Sequence, residues 1–188
     1  YMADDFKELI DVLDENGQLV GKQETKKELY QDGNWHRSVH IWIMNDKQEL
    51  LVQKRNPHKK TFPNLWAIST AGHVLAGESS LQAGIRELKE ELNLDVQEQE
   101  LEYLFTIKRS QQEREYQINV FDDVYLLHRN LDVDHTKLQV EELTDIKFVY
   151  YEYLESIFKN GDHDYVPYTE EHQKLFHLLN NRYQLEII

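Results

Sequence analysis

Glu87, Glu90 and Glu91 stand close together in a stretch, Gly72 to Leu94, that reads GHVLAGESSLQAGIRELKEELNL. On a helix advancing ~100° per residue, the three carboxylates share one arc of about 100°, and Glu87 and Glu91 stand one turn apart. Like charges at that spacing repel and weaken a helix. They are also what a hard divalent cation takes: magnesium prefers carboxylate oxygens and completes its shell with water or substrate phosphate. A cation so held polarises a phosphoryl oxygen and acidifies water. The same acids on a solvated helix face would do no chemistry.

The elements that must position these acids follow from periodicity. Leu81, Ile85, Leu88 and Leu92 form an apolar stripe with the acids on its far side, and Ser79 with Gln82 makes a capping box, so a helix is expected from about Ser79 to Asn93. Asn16-Gly17 between apolar runs predicts a hairpin. Strands are expected at 36–44, 50–55, 101–107, 117–127 and 146–149, helices at 151–159 and 169–181, and a loop at 57–67. Strands interleaved with helices make a mixed α/β domain. The expected organisation is one domain, 1–188, with an N-terminal hairpin part (8–35), a core (36–150) and a C-terminal helical part (151–188).

Composition narrows the partners. Twenty-one Lys and Arg against 35 Asp and Glu give a net charge of −14, which argues against nucleic acid. The absence of Cys excludes disulfides, thiolate metal sites and cysteine nucleophiles, and fits a cytoplasmic location. No apolar run approaches the ~20 residues that span a bilayer, and no signal segment is expected.

Gly72, Glu78, Arg86, Glu87, Leu88, Glu90, Glu91 and Leu94 resemble, at every interval, the Nudix box Gly-x5-Glu-x7-Arg-Glu-U-x-Glu-Glu-x-Gly-U, where U is a bulky aliphatic residue. Only Asn93 departs, and Asn is the next best residue after Gly for a left-handed helix end. The resemblance implies an α/β/α sandwich on a mixed sheet and Mg²⁺-dependent (or Mn²⁺-dependent) hydrolysis of a small-molecule diphosphate. It further implies that Glu87 and Glu91 are metal ligands, with Glu90 a further ligand or water-orienting base. Glu78 and Arg86 would brace the loop, and Gly72 would let the backbone approach the metal.

Beyond the box, His36-Arg37, the strands 39–44 and 50–55, the loop KKTFPNLW and Gly72-His73 resemble the isopentenyl-diphosphate isomerase-like branch of that superfamily. The isomerases carry a catalytic Cys where this chain has Ala71, and a methyl group supplies neither acid nor thiolate. A hydrolase is therefore favoured over an isomerase, and the intact acidic set favours it over a non-catalytic nucleotide-sensing module. Arg55 and Lys59, in a cationic run with Lys54 and Lys60, are expected on the substrate side, with His36, Arg37, His73 and Trp66. Glu113 and Glu115 resemble a Glu-x-Glu pair of the isomerases, and Glu115 is expected as the acid outside the box that completes the metal set, with Glu141-Glu142 as the rival. The Tyr-rich C-terminal part offers a surface for a homodimer. The moiety carrying the diphosphate stays open between nucleoside and prenyl types.

Overall fold

Asn16-Gly17 turns the first hairpin as expected: Gly17 has φ 79°, and the Asp14 carboxylate accepts the Asn16 and Gln18 amides at 2.8 and 2.9 Å. The computed structural model describes residues 8–183 apart from Lys60, Arg114, Val140 and Tyr168. In chain order the elements are β1 (Leu9–Leu13), β2 (Leu19–Thr25), α1 (Lys26–Asp32), β3 (Trp35–Met44), β4 (Glu49–Arg55), β5 (Trp66–Ala67), β6 (Thr70–His73), α2 (Ser80–Leu92), β7 (Leu101–Glu113), β8 (Tyr116–His128), β9 (Leu143–Tyr150), α3 (Tyr151–Lys159) and α4 (Thr169–Tyr183). Two compact units divide the chain. One holds the residues up to Ile41 with Thr70–Glu90 and Leu94–Leu127; the other holds Trp42–Ser69, Glu91–Asn93 and the residues from His128 on.

In the first unit β1 pairs antiparallel with β2, β3 with β6 (Ser38↔His73 to Ile41↔Thr70), and β7 with β8. β8 also pairs β3. The two run in the same direction: Asn119 of β8 reaches Gly33 O just before β3, and further along both strands Arg37 Nη1 of β3 reaches Asp123 of β8. The fold is thus α/β with a mixed sheet, as expected.

Helix α1 lies in a polar stretch that shows no apolar stripe, and the periodicity reading has no helix there. Its signals are local. Thr25 and Glu28 form a capping box, with Thr25 N to Glu28 Oε2 at 2.9 Å, and Gly33 ends the helix at φ 66°. The short strands β5 and β6 were likewise not expected; two to four residues are too few to show a period.

Helix α2 starts where the capping box places it, with Ser79 N to Gln82 Oε1 at 2.9 Å and Gln82 N to Ser79 Oγ at 3.2 Å. Asn93 ends it in the left-handed conformation, φ 54°, and Leu94 N bonds Leu88 O at 3.1 Å. The buried face differs from the expected stripe. Ala83, Leu88 and Leu92 are buried, while Leu81 and Ile85 are only partly covered. Gly84 lies close to β3, where an added Cβ would come within 3.1 Å of Ile41 Cδ1. This rotates the helix relative to the expected face: Glu91 is buried and Glu87 largely covered, so these two acids are not on a solvated far side.

In the second unit β4 pairs antiparallel with β9, from Glu49↔Tyr150 to Arg55↔Leu143, and with β5. Ser69 Oγ bonds Leu51 O at 2.6 Å and accepts Ile43 N at 2.8 Å. Trp42 Nε1 donates to Glu171 of α4 at 2.8 Å, and Phe158 of α3 stacks on His172 of α4 with ring centroids 3.6 Å apart. Among the described residues no helix is long and apolar enough to cross a membrane.

A residue held at positive φ is best served by Gly. Asn93→Gly should leave stability unchanged or raise it. Asn93→Val, β-branched at the same φ, should cost ~1–2 kcal/mol. Urea denaturation of both variants checks this.

Candidate active site

The acidic centre is built around Gly72 in β6. A Cβ placed there would lie 1.9 Å from Glu87 Oε1, so the Glu87 carboxylate rests directly on the Gly72 α-carbon. This gives the glycine its physical reason: it makes room for a side chain of α2. Arg86 fixes the other side. Its Nη1 donates to Glu87 Oε1 at 2.6 Å and approaches Glu90 Oε2 at 3.4 Å, while Nη2 donates to His73 O at 2.9 Å. Its Nε and Nη2 take the two oxygens of Glu78 at 3.0 Å each, a fork that matches carboxylate geometry. Glu78 Oε2 also accepts Leu75 N at 3.1 Å, which closes the loop before α2.

Burial dominates the electrostatics here. It pushes the Glu87 carboxyl up to about 7; Arg86 works against that rise, and the negative charges of Glu90 and Glu8 add to it. Burial would also raise the Glu78 carboxyl, but the Arg86 fork and the Leu75 amide outweigh it and hold the group below its ordinary value. Burial disfavours the Arg86 charge, and Glu78 with Glu87 more than restores it. Glu90 is half exposed. Glu91 follows one turn after Glu87 on the same helix and is buried at 5% exposure.

Next to Gly72, His73 Nε2 lies 2.9 Å from Tyr30 Oη of α1. The His73 ring stacks on His36 with centroids 5.4 Å apart and planes 20° off parallel. His36 is 1% exposed and its Nδ1 has no hydrogen-bond partner. Burial lowers its pKa to about 4, with the charge of Asp122 opposing the shift, and burial also holds His73 well below the ordinary histidine value. Further along β3, Ser38 Oγ and the Arg109 guanidinium both bond Asp122, and His40 Nε2 lies 3.5 Å away. Burial works to neutralise Asp122, but His40 and Arg109 keep it ionised. Arg37 is engaged by Asp123 at 2.7 Å, with its guanidinium 5.6 Å from the Phe121 ring centroid.

The structure brings Gly72, His73, Glu78, Arg86, Glu87 and Glu90 together, with His36 stacked behind His73. Arg55, Lys59 and Trp66 belong to the second unit. Arg55 Nε and Nη2 donate to Thr61 O at 3.1 and 3.0 Å. Lys59 pairs with Glu142, and Trp66 carries Lys147 Nζ 3.9 Å from its ring centroid. Glu115 is exposed in the turn between β7 and β8, Glu141 is exposed before β9, and Lys60 and the Glu113 side chain lie outside the described residues. Sequence reasoning did not single out Tyr30, His40, Asp122 or Glu8. The strands expected at 36–44 and 117–127 cover β3 and β8 but carry no sign that His40 and Asp122 face each other. Glu8 precedes β1 and had no motif to mark it.

Among the described residues no three His, Asp or Glu side chains are already gathered around a point as a metal shell. The donor chemistry nonetheless suits a hard cation: Glu87 is a largely desolvated carboxyl beside a second acid, Glu90, and bringing in positive charge favours ionising both.

Two outcomes follow. Gly72→Ala puts a methyl group where the Glu87 carboxylate lies. The obstructing atoms are the end of a side chain, so the fold should survive with a nearly unchanged Tm. Moving that carboxylate by an ångström should cost ~10²-fold in turnover. Thermal melts and phosphate-release rates measured together check it. The His36 ring should stay neutral down to about pH 4. A depressed histidine pKa means that the unfolded chain takes up protons first, so this contribution to stability is lost as pH falls from 6.5 towards 4. Glu87, raised to about 7, acts in the opposite sense between pH 7 and 4.5, so the readout is the ring's own NMR signal. Imidazole shifts of His36 that stay flat from pH 7.5 to 5 agree; a midpoint near 6.5 does not.

Comparison with known proteins gives the family and the fold. A family model described as the NUDIX domain matches residues 34–170. The chain is 36% identical over 187 residues to Nudix hydrolase 3 of Arabidopsis thaliana, covering 95% of this chain but 24% of that protein; it therefore spans about a quarter of that relative. It is 35% identical over 171 residues to a Nudix hydrolase of Listeria innocua, covering 90% of this chain and 94% of that protein. A shorter match, 37% over 83 residues, is to an isopentenyl-diphosphate Δ-isomerase of Pectobacterium atrosepticum and covers 44% of this chain and 46% of that protein. The crystal structure of DR0079 from Deinococcus radiodurans has the same fold, with a TM-score of 0.67 at 22% identity over 89% of this chain and 98% of that one. With the box residues seated as described and the match running over most of its length, the chain belongs to the Nudix hydrolase family.

Proposed function

We propose that this chain hydrolyses a diphosphate linkage in a small molecule, of nucleoside or prenyl type, with Mg²⁺ or Mn²⁺ as cofactor. The observation that carries this reading is the Glu87 carboxylate, buried on Gly72 and gripped by Arg86, with Glu90 alongside and Glu91 one turn on.

In this reading Glu87, Glu90 and Glu91 hold the divalent cation, which when bound neutralises diphosphate charge and acidifies water. Arg86 keeps Glu87 and Glu78 in register, so the loop from His73 to Ser79 and the start of α2 act as one rigid piece. Glu90, half exposed and loosely held, is the acid free to orient water or accept its proton. His36 and His73 are neutral and add no competing positive charge beside the acids. Arg37, Arg55, Lys59, His73 and Trp66 are the proposed substrate-side residues. Binding through Arg37 or Lys59 requires exchange of the contact with Asp123 or Glu142. His36 is too deeply buried to touch substrate and acts through His73. Glu115 is proposed as an outlying acid of the same set. A net charge of −14 speaks against a nucleic-acid partner. Cysteine-based isomerisation is not part of the proposal, because Ala71 stands at the cysteine position and the chain has no Cys.

A phosphate-release screen over a library of diphosphates with Mg²⁺ tests the reading. The wild type should turn over at least one class, and Glu87→Gln, Glu90→Gln and Glu91→Gln should each lose ~10²-fold or more. Isopentenyl diphosphate should yield no dimethylallyl isomer. Turnover retained in all three variants overturns the mechanism.

A further inference from the structure

The first hairpin lies upstream of residue 34, where the family match begins, yet it is bonded to the box loop at two points. Leu9 O accepts Ala76 N at 2.8 Å, and Asp11 Oδ2 accepts Gly77 N at 2.8 Å. Just before Ala76 and Gly77, Leu75 packs on the buried cluster of Ile10, Val12 and Leu29. The second oxygen of Asp11 accepts Gln23 Nε2 of β2 at 3.0 Å, which fixes the carboxylate in place.

Gly77 has φ +81° and immediately precedes Glu78. The turn returns on itself through Glu78 N to Leu75 O at 3.0 Å, and Glu78 accepts two bonds from Arg86. A continuous path therefore runs from Gln23 through Asp11, Gly77, Glu78 and Arg86 to Glu87. Among the described residues the one side-chain hydrogen bond from the hairpin to the loop is that of Asp11; the Leu9 bond is backbone and does not depend on its side chain.

Resting on the reading of the acidic centre given above, we propose that Asp11 is a positioning residue of this enzyme, which holds the Ala76–Gly77 peptide, and with it the adjoining Glu78, so that Arg86 presents Glu87 to the divalent cation. The hairpin outside the family match then belongs to the working site. A carboxamide in place of the carboxylate still offers an oxygen to Gly77 N, whereas a methyl group offers nothing.

The test uses the full chain with Mn²⁺ alone, the free ion being counted by electron paramagnetic resonance, and hydrogen exchange at the Gly77 amide without metal. Asp11→Ala should weaken Mn²⁺ binding about tenfold, the order seen when an outer-shell partner is lost. It should also speed Gly77 exchange, since that amide loses its acceptor. Asp11→Asn should restore both. Where Asp11→Ala does not fold, Asp11→Ser, too short to reach Gly77, replaces it with the same expectations. Wild-type Mn²⁺ affinity in a folded Asp11→Ala or Asp11→Ser variant overturns the proposal, as does failure of Asp11→Asn to rescue. Glu87→Gln separates the two ideas. If it also binds Mn²⁺ normally, the reading of the acidic centre fails; if it alone loses the ion, only the role of Asp11 falls.

Discussion

A carboxylate resting on a bare α-carbon is the constraint from which the rest of the site follows. Glu87 can occupy its place only because position 72 has no side chain, and it is held there by a guanidinium that also ties Glu78 and the His73 carbonyl. The arrangement brings a charge-bearing group into a poorly solvated place, where burial drives its pKa up towards neutrality despite the adjacent arginine. Left alone, such a group is costly. In the proposed function a divalent cation would find in it a ligand that need not be pulled out of water first.

The surroundings are consistent with that use. Arg86 spends its donors on the loop and the acids, and so serves as a brace. Burial keeps His73, next to Gly72, and His36, stacked on it, neutral, so they add shape and packing without positive charge. Where charge is buried it is compensated: Asp122 has Ser38, His40 and Arg109, and Asp123 has Arg37 and Thr106. The first hairpin adds two hydrogen bonds and an apolar contact to the loop that carries Glu78.

Much of this was written in local sequence. Ser79 and Gln82 announce the start of α2, Asn93 its left-handed end, and Asn16-Gly17 the first turn, because each is decided by neighbours in the chain. The spacing from Gly72 to Leu94 marked the acids and the brace. The helix face was misjudged because Leu81 and Ile85 looked like core. Tertiary packing chose instead the small residues Ala83 and Gly84, which let α2 approach β3, and this turned Glu87 and Glu91 inwards. Helix α1 was missed for the opposite reason: its signals are caps, with no stripe of apolar residues behind them. The contacts of His73 with Tyr30, of Asp122 with His40 and of Gly77 with Asp11 join residues far apart in the chain, and no single-chain pattern encodes them.

The most direct measurement is anomalous diffraction from crystals soaked in Mn²⁺. The account predicts a peak in coordination contact, ~2 Å, with the Glu87 carboxylate, and loss of that peak in Glu87→Gln. Ordered Mn²⁺ bound only elsewhere, with Glu87 still lying on Gly72, would contradict it.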